Sequence, residues 1–186
     1  ARLPLVVHCG EEKAAPGARR DDLVNPLLVR HLLAQGATVI VAHCASLGQA
    51  QDTDRPSAPR VPAFELFARL MAEREWEGRL FGDLSAVFQR NRTPAVWRAV
   101  LENEHWHGRL LHGSDHPLPG IVPLYAMPRL VQAGLLDAEQ AAPLSRIREH
   151  NALLFDLVLK RSLRLGSARL PAALFEARAL DALRAA

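Results

Sequence analysis

The chain has 186 residues, enough for one domain with a real hydrophobic core. Its formal charge is +3, with 23 basic and 20 acidic residues interspersed, and only Lys13 and Lys160 are lysines. The arginines, among them Arg60, Arg69, Arg74 and Arg79, alternate with carboxylates instead of forming a basic stripe laced with aromatics, which argues against a nucleic-acid surface.

In chain order, Leu5-Val6-Val7-His8-Cys9 reads as a short parallel strand closing on a His-Cys pair. A polar loop leads to Asn25-Pro26, an N-cap followed by proline at the first helical position. Leu28, Leu32 and Leu33 supply that helix's apolar stripe, and Gly36 sits where a left-handed C-cap belongs. The second strand, Val39-Ile40-Val41-Ala42-His43-Cys44, again closes on His-Cys. A loop rich in Asp, Pro, Ser and Gln runs from Ser46 to Val61, and a helix follows Pro62 with Phe64, Phe67, Leu70 and Met71 on one face. Leu80-Phe81-Gly82-Asp83 is the third strand. Thr93-Pro94 then opens a helix that buries Trp97, Val100 and Leu101.

The fourth run, Arg109-Leu110-Leu111-His112-Gly113-Ser114-Asp115, ends in an aspartate. After it come a Pro- and Gly-rich loop and a short helix ending at Gly134. Asp137-Ala138-Glu139-Gln140 resembles a capping box, and a long helix is expected from about Arg146 to Lys160. Gly166-Ser167 looks like a joint, and Pro171 opens a terminal amphipathic helix carrying Leu170, Leu174 and Leu180.

Alternating β and α segments predict a parallel α/β fold. The strand ends are 35 residues apart from His8 to His43, 40 from His43 to Asp83 and 32 from Asp83 to Asp115. Each interval fits a strand, a crossover helix and two loops, about 30 residues or more. Periodicity alone does not separate a half-barrel from a doubly wound sheet. The strand-end residues favour the barrel, where all carboxyl ends converge on one mouth. Four units make half of a (β/α)8 TIM barrel, which typically needs about 250 residues. The expectation is therefore a C-terminal half-barrel over residues 1–160, with a helical extension over 161–186.

His8, His43 and Asp115 form the chemical core of the reading. Neutral imidazole and carboxylate are ordinary ligands for zinc and similar metals. A bound metal brings the pKa of its water toward neutrality, and a nearby carboxylate can take the proton. A further imidazole can stabilise charge on the substrate. The competing interpretation is three unrelated polar residues that happen to close strands. Two histidines and an aspartate at barrel-like intervals favour the site.

These residues carry a resemblance. Leu5-Val6-Val7-His8, Val39-Ile40-Val41-Ala42-His43 and Gly113-Ser114-Asp115-His116-Pro117 are similar to strands five, six and eight of the amidohydrolase superfamily, in its amidohydrolase-2 branch. Asn151-Ala152 followed by Leu154-Phe155 resembles the helix that ends many members, so the likeness covers about residues 3 to 158. It implies that His8 is a metal ligand and that His43 is either a second ligand or the imidazole that contacts substrate. Asp115 would be a ligand and the general base. The family's remaining pair of ligands, a His-x-His closing strand one, has no counterpart in this sequence.

Asp83 and Ser85 end the third strand and could bind substrate or tie loops together. His116 could reach the mouth. Arg90 and Arg92 could clamp a substrate carboxylate, with ordinary surface charge as the alternative. Glu11 and Glu12 could orient His8. His105-Trp106-His107 imitates a metal motif but falls in a helix-to-strand turn, on the face away from a barrel's catalytic mouth. His112 fails on strand parity and is expected to be structural. Cys9 and Cys44 are expected to be buried free thiols, with a disulfide between neighbouring strands left open.

The leading expectation is a metal-dependent hydrolase of an amide, cyclic amide, lactone or ester in a small molecule. Zinc is the first choice of ion, with Mn2+, Fe2+ or Ni2+ as alternatives. Non-oxidative decarboxylation on the same fold is the nearest rival, because fold does not imply function. A non-catalytic barrel fragment that self-associates is the rival from another class. No apolar run approaches the roughly 18 residues that cross a bilayer, so a cytoplasmic protein without membrane partners is expected.

Overall fold

The computed structural model describes residues 3–11 and 23–176. Two compact units emerge from it. One holds residues up to Asp83 together with Arg109–Leu111, and the other holds Leu84–Gly108 and His112–Glu176.

The first unit is built on a parallel sheet. Its strands are β1 (Leu5–His8), β2 (Val39–Ala42), β5 (Leu80–Asp83) and β6 (Leu110–Leu111), in the spatial order β1-β2-β5-β6. Helix α1 (Val29–Ala34) connects β1 to β2. A hairpin, β3 (Gln49–Gln51) with β4 (Arg60–Pro62), precedes helix α2 (Ala63–Ala72), which leads to β5. The mixed α/β class with a parallel sheet is thus the observed one. Among the described residues the sheet is open, with β1 and β6 at its edges.

Register fixes the two faces. Val6, Ile40 and Phe81 lie in one row, and His8 pairs with Ala42 one pleat further along the same face. Asp83 pairs with Leu111, and Ile40, Phe81 and Leu111 form a buried cluster there. The other face carries Val39, Val41, Leu80 and Leu110, all buried. A methyl group placed on Gly82 would meet Phe67 of α2 at 2.7 Å, so this is the face α2 covers. Each such buried Val or Leu contributes roughly 1.5–3 kcal/mol.

The helices form for the expected local reasons. The Asn25 side chain accepts from the Leu27 amide at 3.0 Å, and Pro26 opens a 3-10 turn that runs into α1. The buried residues are Leu27, Val29 and Leu33, whereas Leu28 is 40% exposed, because the 3-10 turn rotates the stripe by about one position. In α2, Phe64, Phe67, Leu70 and Met71 are all buried, as the spacing predicts. Two arginines close the C-termini of α1 and α2. Arg79, just before β5, donates to the Leu33 carbonyl at 2.8 Å, and Arg109, just before β6, donates to the Met71 carbonyl at 2.7 Å.

The expected loop from Ser46 to Val61 contains the β3–β4 hairpin, which its polar composition conceals. Arginine–carboxylate pairs lock the hairpin's turn. Asp52, fully buried, receives Arg69 at 2.7 and 2.6 Å, while Asp54 receives Arg30 at 2.7 Å and Arg69 at 2.9 Å.

The second unit contains α3 (Pro94–Glu102), α4 (Met127–Gln132), α5 (Ala138–His150), α6 (Ala152–Ser162) and a hairpin of β7 (Arg164–Leu165) and β8 (Ala168–Arg169). Thr93 and Pro94 start α3, and Trp97, Val100 and Leu101 are its buried side. The long helix expected through Lys160 is two helices. Asn151 is extended (φ −153°) and its side chain accepts from the Leu154 amide at 2.9 Å, so it caps a new helix. The capping box at Asp137 does not form, because that carboxylate pairs with Arg164 instead. Where a helical extension is expected from residue 161, the chain turns at Gly166 (φ +60°) into the β7–β8 hairpin. After Pro171 the described residues make a 3-10 turn, Ala172–Phe175, burying Leu174. Leu180 lies outside the described residues.

Candidate functional site

His8 closes β1 and is half-buried. Its register partner is Ala42, so a straight continuation of β2 would turn His43 to the opposite face. The chain does not continue straight. His43, Cys44 and Ala45 take positive φ in succession, at 56°, 51° and 49°. For residues with a Cβ this conformation costs roughly 1–2 kcal/mol each. The turn breaks the alternation and brings the His43 ring to 5.5 Å from the His8 ring, edge to face at 71°.

The loops that carry the two rings are tied together. The Glu11 amide donates to the Leu47 carbonyl at 2.8 Å, and the Gly10 amide donates to the Val24 carbonyl at 2.9 Å. Gly10 and Gly48 permit the approach. A Cβ on Gly10 would lie 2.4 Å from the Leu47 oxygen, and one on Gly48 would lie 2.4 Å from the Glu11 Cβ. Both also have positive φ, at 86° and 81°. Glu12 lies outside the described residues.

Asp83 ends β5, two strands from β1 and on the face that carries His8. Strand spacing puts these two positions roughly 10 Å apart. The Asp83 backbone carbonyl accepts the Cys44 thiol at 3.2 Å. Cys44 also lies against Gly82 on the α2 side of the sheet. Both cysteines are buried and free of any disulfide. Burial pushes the Cys9 thiol up to about 12, so it stays protonated and is no nucleophile at neutral pH.

Asp115, Ser85, Arg90 and His116 belong to the second unit. Asp115 is half-buried with φ +57°, and its carbonyl accepts from the Leu118 amide at 2.9 Å. Ser85 is 2% exposed, while Arg90 and His116 are exposed. Arg92 is buried and donates to Gln89 at 3.0 Å and to Asn91 at 2.6 Å, which gives it a role in loop structure. His112 is half-buried, with its ring 5.4 Å from Phe175. In the His105-Trp106-His107 turn, Trp106 is buried and the His107 Nε2 lies 3.1 Å from the Val100 carbonyl.

Sequence reading missed a buried polar cluster in the second unit. Lys160 and Asp156 are 1% and 0% exposed, and the Lys160 Nζ donates to Asp156 Oδ2 and to the Gly113 carbonyl, each at 2.6 Å. The Tyr125 hydroxyl lies 3.4 Å from Asp156 Oδ1. The available signal was a lysine four residues after an aspartate, on a helix face shared with Phe155 and Leu159.

Two imidazoles sharing one tetrahedral ion, each nitrogen about 2.0–2.1 Å from it, would place their rings roughly 5 Å apart. The His8–His43 spacing fits two such donors. Among the described residues no group of three or more His, Cys, Asp or Glu is arranged to hold a metal ion. A cavity of about 500 Å³ in the first unit lies elsewhere, lined by His31, Gln49, Gln51 and Arg60 among others, and none of the strand-end residues borders it. Among the described residues no helix is long and apolar enough to cross a membrane. Compared with known proteins, the chain matches no family model, no curated protein and no solved structure.

Proposed function

We propose that the chain is a metal-dependent hydrolase of the amidohydrolase type, acting on an amide, cyclic amide, lactone or ester bond of a small molecule. The observation that carries this is the His8–His43 pair, 5.5 Å apart at the carboxyl ends of adjacent parallel strands. Ligands of open parallel sheets and barrels bind at such ends. The run of three left-handed residues at His43–Ala45 supports it, because backbone strain clusters at functional sites.

His8 and His43 would hold a divalent ion, zinc or alternatively Mn2+, Fe2+ or Ni2+, as two of its donors. When bound, that ion supplies a water acidic enough to attack near neutral pH. Asp115 is assigned the proton-accepting carboxylate, on the strength of its sequence context and its left-handed backbone. Asp83, on the His8 face of the sheet, is assigned to substrate binding, as are Ser85, Arg90 and His116. The finer fold expectation, the second half of an eight-stranded barrel, belongs to the same proposal. It is supported by Leu3, Leu5 and Val6, which stay 85%, 45% and 68% exposed at the β1 edge.

The test is metal analysis of the purified chain, with turnover of a panel of amides, lactones and esters. Acid production that disappears in His8→Ala and His43→Ala, together with loss of bound metal, is the expected result. Carbon dioxide release without acid production would move the assignment to a decarboxylase. A panel left untouched, with no metal retained, would remove both.

A further inference from the structure

We propose that the buried Asp156–Lys160 pair on α6 is a positioning device for the Gly113–Asp115 segment. For its functional half the proposal rests on the role given to Asp115 above.

An ammonium and a carboxylate taken out of water lose hydration that their mutual attraction repays only with good geometry and further hydrogen bonds. Apolar side chains of similar volume fill such a place as well or better, so the pair is a poor device for stability alone. Lys160 does one thing an apolar residue cannot. Its Nζ, 2.6 Å from Asp156 Oδ2, reaches 2.6 Å to the Gly113 carbonyl, two residues before Asp115.

The other side of the segment is held by a turn, the Leu118 amide donating to the Asp115 carbonyl at 2.9 Å. Asp115 between them has φ +57°. A left-handed residue preceded by a glycine two positions back has several alternative conformations nearby, so two fixed points select one. Tyr125, 3% exposed, completes the cluster with its hydroxyl 3.4 Å from Asp156 Oδ1. Burial, and then the Asp156 charge, push its phenol above the ordinary value, so it stays an uncharged donor.

The experiment uses the full chain with Asp156→Asn and Lys160→Met combined. Both charges go together, which avoids the stranded carboxylate of a single lysine variant, and the new amide still accepts from Tyr125. The expected melting temperature is close to that of the unaltered chain. Amides of residues 112–118 exchange at least about tenfold faster. The kcat falls about 10- to 100-fold with KM within about threefold, as for a catalytic group displaced by about an ångström. A merely structural role would lower the melting temperature without splitting kcat from KM.

A folded double variant with unchanged exchange and unchanged kcat overturns the proposal. Exchange is read without substrate, so a chain lacking hydrolase activity sinks the functional reading while exchange still decides the clamp. Should the double variant fail to fold, nitrogen NMR of the unaltered chain decides. A slowly exchanging Lys160 ammonium coupled across its hydrogen bond to the Gly113 carbonyl carbon is expected, and its absence overturns the proposal.

Discussion

The His8 and His43 rings meet at 71° with their centroids 5.5 Å apart, although the sheet pairs His8 with Ala42. The left-handed turn that begins at His43 makes this meeting possible, and the hydrogen bond from Glu11 to Leu47 fixes the loops on which both rings stand. The pair is therefore a tertiary product of two loops. Strand alternation alone would have separated the rings.

His8→Ala and His43→Ala should each lower kcat/KM by at least about 100-fold, the usual scale for losing a proton-transferring or charge-stabilising group. Both side chains are only half-buried, so stability should change by less than about 1 kcal/mol. Steady-state kinetics beside thermal melts check this. Equal loss of stability and activity would mark the pair as structural.

Gly48→Ala should destabilise the chain by about 2 kcal/mol or more. Its φ is +81°, and the added Cβ would lie 2.4 Å from the Glu11 Cβ and 2.9 Å from the Glu11 amide nitrogen. Backbone strain and a backbone clash act together here. Denaturant unfolding measures the loss, and a variant as stable as the parent would show that the two loops do not touch as described.

Acid should weaken the lock on the β3–β4 hairpin. The Arg69 guanidinium, hydrogen-bonded to Asp52, holds that carboxyl below its ordinary range, and Arg30 does the same for Asp54. A depressed folded-state pKa gives stability that is full above the unfolded value of about 3.9 and is lost as pH falls through the folded one. Asp52→Asn should therefore melt below the parent at pH 7, and the gap should close as pH drops below about 4. Melting curves of the two proteins across that range test it, and a gap that persists in acid would contradict the ion pair.

Neither thiol should react with an aromatic disulfide reagent in the folded protein at pH 8. Cys9 is 3% exposed and its thiol is pushed up to about 12 by burial, while Cys44 is 0% exposed. Because the raised folded value favours the protonated thiol, Cys9 contributes stability that is present below its unfolded pKa of about 8.5 and declines as pH rises above it. Labelling should follow unfolding in rising denaturant. Fast labelling of Cys9 without denaturant would show that the end of β1 is open.

Much of the fold was legible in the residues themselves. Val39–Ala42 and Leu80–Asp83 read as covered strands because they are continuous apolar runs bounded by polar turns, and both form. The α2 face and the Asn25-Pro26 and Thr93-Pro94 starts were equally plain, since capping and periodicity are local. The β3–β4 hairpin was hidden, because its Asp- and Arg-rich stretch is stabilised by partners 15 to 24 residues away, such as Arg69 and Arg30 for Asp54. The break at Asn151 was hidden as well, because residues on both sides of it favour helix.

For the candidate site, the sequence by itself determined that His8 and His43 stand at the ends of neighbouring strands, since strand length and spacing depend on local pattern. Only the tertiary structure decided that the two rings meet, because that depends on a left-handed turn no residue at 43–45 prefers, held by a contact between two separate loops. The tertiary structure likewise decided that Lys160 is a buried donor to Gly113, 47 residues away, where composition alone would place a lysine in water.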